Sequence, residues 1–117
     1  MNLNDFAQHW LKSWNSHDIE GVLAHFSEDV EVTTPMIKVA TSGDEDTIYG
    51  KEAVRKYWTT ALKKFPDLHF KLICITEGVN SAAFYYETVL EKKAIEVMYF
   101  NSEGLVTKMN AFYSLQE

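Results

Sequence analysis

The sequence predicts an α+β fold in which helices come first and an antiparallel sheet follows. Apolar residues recur at helical spacing in three segments of the first half of the chain, and the last of these ends at Phe65. From Leu68 onward the apolar period changes to two, which is typical of strands. Short polar connections separate these later strands, and short connections make antiparallel neighbours. We therefore expect three helices packed on one face of a sheet.

The composition is that of a small globular protein. The 117 residues suffice for one hydrophobic core and are too few for two, so we expect a single domain over residues 1–117. A formal net charge of −6 argues against nucleic acid or an anionic membrane as the main partner. We find neither a signal-peptide pattern nor an apolar run long enough to span a membrane, and we expect a cytoplasmic protein. The single cysteine, Cys74, excludes an internal disulfide and is expected in the core, because it lies between two isoleucines.

The helical spacing defines three helices. The first carries a stripe of Leu, Phe and Trp residues and ends near His17. Asp18 is placed to cap a second, shorter helix that reaches Phe26. The adjacent His17 and Asp18 are residue types of a catalytic dyad, but a tight turn followed by an N-cap is the simpler interpretation. The third helix carries its apolar stripe from Val54 to Phe65.

The remaining segments are predicted to be strands and loops. Alternation over 30–34 predicts a strand that Pro35 closes, and 37–41 is expected to form a second short strand. The polar loop over 42–50 lacks the residue spacing of a calcium-binding or a phosphate-binding loop. Four longer strands are expected at 68–76, 82–90, 94–100 and 105–115.

The strand over 94–100 contains the most informative residue of the sequence. Both faces of this strand are apolar except for Glu96, which shares one face with Met98 and Phe100. Such a carboxyl group either points to solvent or is buried at a high desolvation cost. If it is buried, it is mostly neutral near pH 7 and can donate or accept a proton.

Several motifs, taken in order, resemble the nuclear transport factor 2-like superfamily. They are Trp14-Asn15-Ser16-His17-Asp18, Phe26-Ser27-Glu28-Asp29-Val30, Gly50 at the start of the third helix, and Phe65-Pro66-Asp67 at its end. SnoaL-like polyketide cyclases and ketosteroid isomerase belong to this superfamily. The resemblance covers essentially the whole chain. It implies a cone of the cystatin-like type, in which three helices close over a strongly curved sheet around an apolar pocket.

Ketosteroid isomerase uses an Asp base together with a Tyr and a protonated Asp as hydrogen-bond donors. The resemblance places Glu96 at the protonated acid and Thr34 at the general base. It also places Trp10 at the oxyanion-binding Tyr and Trp58 at a supporting Tyr. One acid is retained and the base is missing, so the isomerase chemistry of this relative cannot be carried over.

Strand alternation and the resemblance together predict a site. Glu96, Tyr86 and Tyr113 are the candidate catalytic residues, with a tyrosine orienting the carboxyl group. The other side chains expected around this pocket are Trp10, Trp14, Phe26, Thr34, Trp58, Phe84, Thr88, Leu90, Met98, Phe100, Met109 and Ala111. The sequence leaves open whether the pocket is empty or is filled by these same side chains.

No metal or other cofactor is predicted. We expect His9 and His25 on exposed sides of helices and His69 on a strand, and no zinc-motif spacing links them. No serine or cysteine stands in a recognisable arrangement with a histidine, so a covalent mechanism is not indicated.

The opposite face of the sheet is predicted to be apolar as well. It carries Tyr85, Val97, Tyr99 and Phe112, among others. A monomer would normally show water a more polar second face. We therefore expect a second copy of the chain to cover this face in a homodimer.

The leading hypothesis is a protein that binds a small apolar or aromatic molecule carrying oxygen. It would be an isomerase, cyclase or dehydratase in which Glu96 donates a proton or a hydrogen bond to the substrate. The lack of a second carboxylate or a histidine beside Glu96 is the main argument against catalysis. The alternative is a non-catalytic ligand-binding or dimerisation module. An epoxide hydrolase of the limonene type is disfavoured, because the only arginine, Arg55, is expected on the solvent side of the third helix.

Overall fold

Helices pack on one face of a sheet, which confirms the predicted α+β class. The computed structural model describes residues 2–115, and within them it has four α-helices where three were expected. The helices are α1 (Leu3–Asn15), α2 (Ile19–Leu23), α3 (Met36–Thr41) and α4 (Lys51–Lys64). The strands are β1 (Phe26–Thr33), β2 (Thr47–Tyr49), β3 (Lys71–Gly78), β4 (Ser81–Glu87), β5 (Lys93–Phe100) and β6 (Val106–Tyr113).

The strands are arranged in the order β2-β1-β6-β5-β4-β3. Neighbouring strands are antiparallel except β1 and β6, which run parallel, so the expectation of an entirely antiparallel sheet was wrong for this pair. A parallel pair is joined by a long crossover, which strand spacing along the sequence does not reveal. Register shifts interrupt the β1–β6, β3–β4 and β5–β6 pairings, and bulges of this kind bend a strand and increase its twist.

α3 takes the place of the short strand that was expected over 37–41. Pro35 is the N-cap residue of α3 and has helical dihedral angles (φ −63°, ψ −17°). The fixed φ of proline favours the start of a helix. The Thr34 hydroxyl accepts a hydrogen bond from the Met36 amide at 3.2 Å, which satisfies one of the free amides of the first turn. Within α3, the side chain of Ile37 is buried. The strand prediction was wrong because Pro35 not only ends a strand but also begins a helix.

The predicted polar loop over 42–50 ends in β2, which pairs with β1. Gly50 then leads the chain into α4 with a φ of +91°, a backbone conformation that other residues rarely adopt. Its amide donates to the Val30 carbonyl oxygen at 2.7 Å. The start of α4 is therefore fixed against the end of the sheet that carries β1.

The apolar stripes of the two long helices form the core together with the inner face of the sheet. Phe6, Trp10 and Trp14 of α1 and Val54 and Trp58 of α4 are all buried. Within residues 2–115, no helix has both the length and the apolar character needed to cross a bilayer.

The turn between α1 and α2 has the structural role that was expected. His17 has a φ of +59°, and its Nε2 lies 2.8 Å from the Leu68 carbonyl oxygen. The Asp18 carboxylate caps α2 by accepting a hydrogen bond from the Gly21 amide at 3.0 Å. α2 is shorter than predicted, and Phe26 begins β1 instead of ending the helix.

The outer face of the sheet, turned away from the helices, keeps large apolar side chains in contact with solvent. Ile95, Tyr99 and Phe112 are 42%, 44% and 55% exposed. Cys74 is also exposed, so its predicted core position was wrong. A register shift in β3 directly before Cys74 pairs it with Tyr85, whose side chain alternates away from the helices.

Candidate ligand cavity around Glu96

Glu96 lies on β5, near the middle of the sheet, and faces the helices. Its direct neighbours are Phe84 on β4 and Ala111 on β6. The residue is only 4% exposed, so the carboxyl group is buried rather than directed to solvent. Ala111 is small and lines a cavity next to the carboxyl group.

The surroundings of Glu96 favour its neutral form. Burial raises the pKa of this carboxyl group from 4.5 to about 8, because the charged form loses its hydration. The Tyr86 hydroxyl donates a hydrogen bond to Oε2 at 3.3 Å, which lowers the pKa but does not offset the effect of burial. Glu96 is therefore mostly protonated near pH 7.

Three tyrosine hydroxyls surround the carboxyl group and remain neutral. Burial raises the pKa of Tyr113 to about 12 and raises those of Tyr57 and Tyr86 further, and the nearby Glu96 carboxylate adds to each effect. Interaction with the buried Thr34 hydroxyl partly offsets this rise in the pKa of Tyr57 and of Tyr113. The polar groups of this cluster thus offer hydrogen bonds without carrying net charge at neutral pH.

The cavity at this cluster has a volume of about 60 Å³. Nine of the residues predicted for the site line it: Trp14, Thr34, Trp58, Tyr86, Thr88, Glu96, Met109, Ala111 and Tyr113. Ligand pockets commonly measure about 300–1,000 Å³. The side chains of the chain itself therefore fill most of the predicted pocket.

Six other predicted residues lie away from the cavity. Phe84 and Met98 are buried on the inner face that they share with Glu96, and Trp10 of α1 packs on Phe84 with a ring separation of 5.0 Å. Phe26 is a core residue beside Trp58. Half-buried Phe100 and 69%-exposed Leu90 complete this group, and Leu90 leaves the sheet because β4 ends at Glu87. Alternation identifies the face of a strand but does not show which part of that face a helix covers.

The sequence prediction missed eight residues that line the cavity: Met36, Ala40, Tyr57, Ala61, Phe65, Leu68, Phe70 and Val89. Tyr57 and Ala61 belong to the same apolar stripe as Trp58, so helical spacing carried a signal for them. Met36 and Ala40 lie on α3, where a strand was expected. Phe70 comes just before β3 and is held there by the side chain of Asn15, a long-range contact that no sequence pattern announces.

One donor in the wall of the cavity has no partner. The indole Nε1 atoms of Trp10 and Trp14 are buried without a hydrogen-bond partner among the described residues. Trp14 lines the cavity, whereas Trp10 does not. A buried N–H group without a partner is unfavourable, and a ligand oxygen near Trp14 would relieve that cost.

Histidines and acidic residues do not assemble into a metal site in the described part of the chain. No group of three or more His, Cys, Asp or Glu side chains is placed to hold an ion within residues 2–115. His9 and His25 form a pair, with His9 Nδ1 2.6 Å from His25 Nε2. His25 is half-buried in the turn before β1, and its ring lies 4.5 Å from that of Phe6 in a tilted arrangement, so its expected position on an exposed helix side was wrong.

A larger hollow of about 360 Å³ lies at the opposite end of the molecule. It is bounded by the start of α1 and by the β3–β4 and β5–β6 turns. Its polar lining includes Glu77, Asn80 and Asn101, none of which is buried. The buried titratable groups are at Glu96, and this is where we place the candidate site.

The sequence matches the family model of the SnoaL-like domain over residues 7–106. The chain belongs to the SnoaL-like family. This confirms the resemblance noted from the sequence motifs. The SnoaL-like chain has no significant match among curated proteins.

Solved structures from several bacteria share the fold of this SnoaL-like chain. A SnoaL-like protein of unknown function from Burkholderia thailandensis is 36% identical, with 96% of this chain and 94% of that chain covered and a TM-score of 0.88. A protein from Agrobacterium tumefaciens, described as a candidate isomerase of the SnoaL-like family, is 19% identical with a TM-score of 0.75, and 96% and 97% of the two chains are covered.

A third structure is IdmH from Streptomyces antibioticus, described as a candidate polyketide cyclase. It is 15% identical, with a TM-score of 0.72, and 95% of this chain and 91% of that chain are covered. At this level of identity the likeness concerns the fold, and function has to be argued from the site.

Proposed function

We propose that this SnoaL-like chain binds a small, neutral, mostly apolar molecule whose oxygen accepts a hydrogen bond or a proton from Glu96. The proposal rests on one observation, a buried carboxyl group with a pKa of about 8 in the wall of an apolar cavity. Near pH 7 such a group is a donor, and it can serve a carbonyl, hydroxyl or ether oxygen. Tyr86 orients the carboxyl group through its hydrogen bond to Oε2.

The reaction class that fits this donor is isomerisation, cyclisation or dehydration. Each of these reactions is helped when a substrate oxygen is protonated or receives a strong hydrogen bond. A pKa close to the working pH is also well suited to repeated proton exchange. The descriptions of two structural relatives, a candidate isomerase and a candidate polyketide cyclase, support this class.

Non-catalytic binding is the second candidate, and two observations favour it. The cavity of about 60 Å³ holds only a small group unless side chains move. Within the described residues, its lining includes no carboxylate besides Glu96 and no histidine to accept a proton from carbon. Under this alternative Glu96 is a hydrogen-bond donor for recognition alone.

The test compares wild type with Glu96→Gln, using 2-cyclohexenone, phenol and γ-butyrolactone as probes. Calorimetry measures affinity for the three probes. Turnover is measured on 2-cyclohexenone, the probe that can isomerise, by NMR of solvent deuterium incorporated at its γ-carbon. Glutamine keeps the size and a hydrogen-bond donor but transfers no proton, so catalysis predicts that turnover is lost while affinity changes little. Wild-type binding without turnover favours the second candidate. If wild type turns the probe over and Glu96→Gln does so at the same rate, the site is wrongly assigned.

Glu87→Gln is the matched control. Glu87 follows Tyr86 on β4 and alternates to the opposite face, so its substitution removes a carboxylate without touching the cavity. We expect affinity and turnover in this variant to equal those of wild type.

The proposal also predicts how affinity depends on pH. Above a pH of about 8 Glu96 ionises and no longer donates a hydrogen bond. The dissociation constant of wild type for 2-cyclohexenone should therefore rise, approaching about tenfold per pH unit above that value. Glu96→Gln should bind this neutral probe with an affinity that is independent of pH. A wild-type affinity that stays constant to pH 9.5 would contradict the donor role.

A further inference from the structure

Another hollow, which we call the outer hollow, lies directly outside the cavity at Glu96. It has a volume of about 310 Å³ and is lined by the end of α4, the following turn and the β4–β5 connection. Phe65, Leu68 and Val89 line both spaces, so these three side chains form the wall between them. The inner cavity is too small for most ligands, whereas the two spaces together fall in the size range of ordinary ligand pockets.

The part of this wall that comes from the β4–β5 connection is held mainly at its ends. Thr88 donates a backbone hydrogen bond to Lys92 at 2.8 Å, and Lys92 donates one to Val89 at 3.2 Å. Between these bonds, Leu90 and Glu91 have φ values of +59° and +58°. Two consecutive left-handed residues that are not glycine store backbone strain, and strain of this kind is common where ligands bind.

The chemistry of the two spaces differs. The inner cavity carries the Glu96 carboxyl and the tyrosine hydroxyls. Most residues that line the outer hollow are apolar, and Lys64 and Asp67 are its two charged residues: Lys64, Phe65, Pro66, Asp67, Leu68, Val89 and Leu90. Lys64 already donates to the Val39 carbonyl oxygen at 2.8 Å. A ligand that spans both spaces therefore has one oxygenated end and an apolar body.

We propose that the outer hollow is a second part of the binding site and that Val89 determines the length of ligand that the protein accepts. The ligand is an elongated molecule whose oxygen reaches Glu96 while its apolar chain crosses the wall at Val89 and lies in the outer hollow. This inference rests on the proposed function, since it assumes that Glu96 binds the oxygenated end.

The experiment measures dissociation constants for 4-alkylphenols with chains of one to six carbons, in wild type and Val89→Ala. The carbon-13 signal of the Glu96 side-chain carboxyl reports whether the phenol end reaches the inner cavity. We expect the dissociation constant to fall by up to about fourfold for each added methylene. Val89→Ala, which widens the wall, should bind 4-hexylphenol at least threefold more tightly than wild type and 4-methylphenol about equally.

Val79→Ala is the matched control, because Val79 is 89% exposed at the β3–β4 turn and lines neither space. Glu91→Gly is a second variant, since Glu91 lines neither space and glycine accepts its left-handed backbone without strain while Val89 stays in place. This variant should keep the wild-type preference for long chains.

Two failures can be told apart. If 4-methylphenol does not shift the Glu96 signal in any variant, the proposed function and this inference both fail. If 4-methylphenol shifts that signal but affinity does not increase with chain length in wild type or Val89→Ala, the outer part of the site is overturned and the proposed function stands.

Discussion

Protonation of Glu96 is coupled to the stability of the fold. The pKa of this carboxyl group is 4.5 when it is free and about 8 in the folded chain. Between these values the folded state holds a proton that the unfolded state has released. The contribution of Glu96 to folding is therefore most favourable below about pH 4.5, falls as the pH rises to about 8, and stays constant above it.

We expect this coupling to appear in unfolding experiments. The free energy of unfolding of wild type should lose up to about 1.4 kcal/mol per pH unit between pH 5.5 and 7.5 relative to Glu96→Gln. Urea unfolding of both proteins at three pH values in this range gives the difference, and Glu87→Gln serves as the control. Parallel curves for wild type and Glu96→Gln would mean that the carboxyl group is ionised in the folded state.

The site was predictable at this scale only in part. The two-residue period of strands placed Met98 and Phe100 on the face of Glu96, and the family resemblance was needed to add Tyr86 and Tyr113 from the neighbouring strands. The strand period did not show whether solvent reaches that face, because burial of Glu96 depends on helices that are distant in sequence. The position of Tyr57 beside the carboxyl group likewise depends on how α4 rotates against the sheet.

Among the elements, α1 and the segment before β3 are joined by one side chain. The Asn15 amide donates to the Phe70 carbonyl oxygen at 2.9 Å, and its Oδ1 accepts from the Phe70 amide at 2.7 Å. These two bonds satisfy the backbone N–H and C=O groups of Phe70, as strand pairing does within β3. They also hold the Phe70 ring in the wall of the cavity.

Asn15→Ala should destabilise the fold by about 1–3 kcal/mol, because it leaves a part-buried amide and carbonyl of Phe70 without partners. Urea unfolding measures the loss. Asn4→Ala, at an exposed position in the same helix, is the control and should change stability by less than about 0.5 kcal/mol. Equal effects of the two substitutions would show that the Asn15 bonds contribute little.

Long elements were easier to predict than short ones. The stripes of α1 and α4 and the alternation of β4, β5 and β6 extend over enough residues to fix both type and face. α3 and β2 are too short for a period to be seen, and capping and pairing with β1 decide their structure. The two cavity residues contributed by α3 were missed for this reason.

At the scale of the whole molecule, the apolar outer face of the sheet indicates an interface with another molecule. Ile95, Tyr99 and Phe112 lie on adjacent strands and are each more than two-fifths exposed. When such a patch packs against an identical copy, the apolar surface of both copies is removed from water. We therefore expect a homodimer built on this face.

Phe112→Glu should weaken this dimer about tenfold or more, because it places a carboxylate from each copy in the interface. Light scattering at micromolar concentration should give twice the mass of the chain for wild type and a smaller value for the variant. Val79→Glu is the control, since that exposed position lies at a turn. A wild-type mass equal to one chain at these concentrations would refute the dimer.

The parallel pairing of β1 with β6 also sets an order of events during synthesis. β6 is made after every other strand, yet it lies between β1 and β5. Until it emerges from the ribosome, β1–β2 and β3–β4–β5 lack the strand that joins them, and each pairing leaves an open edge. Glu96 lies on β5, which borders this gap, so we expect water to hydrate and ionise it before β6 is in place. We therefore expect insertion of β6 to bury Glu96 and to be accompanied by uptake of a proton from solution.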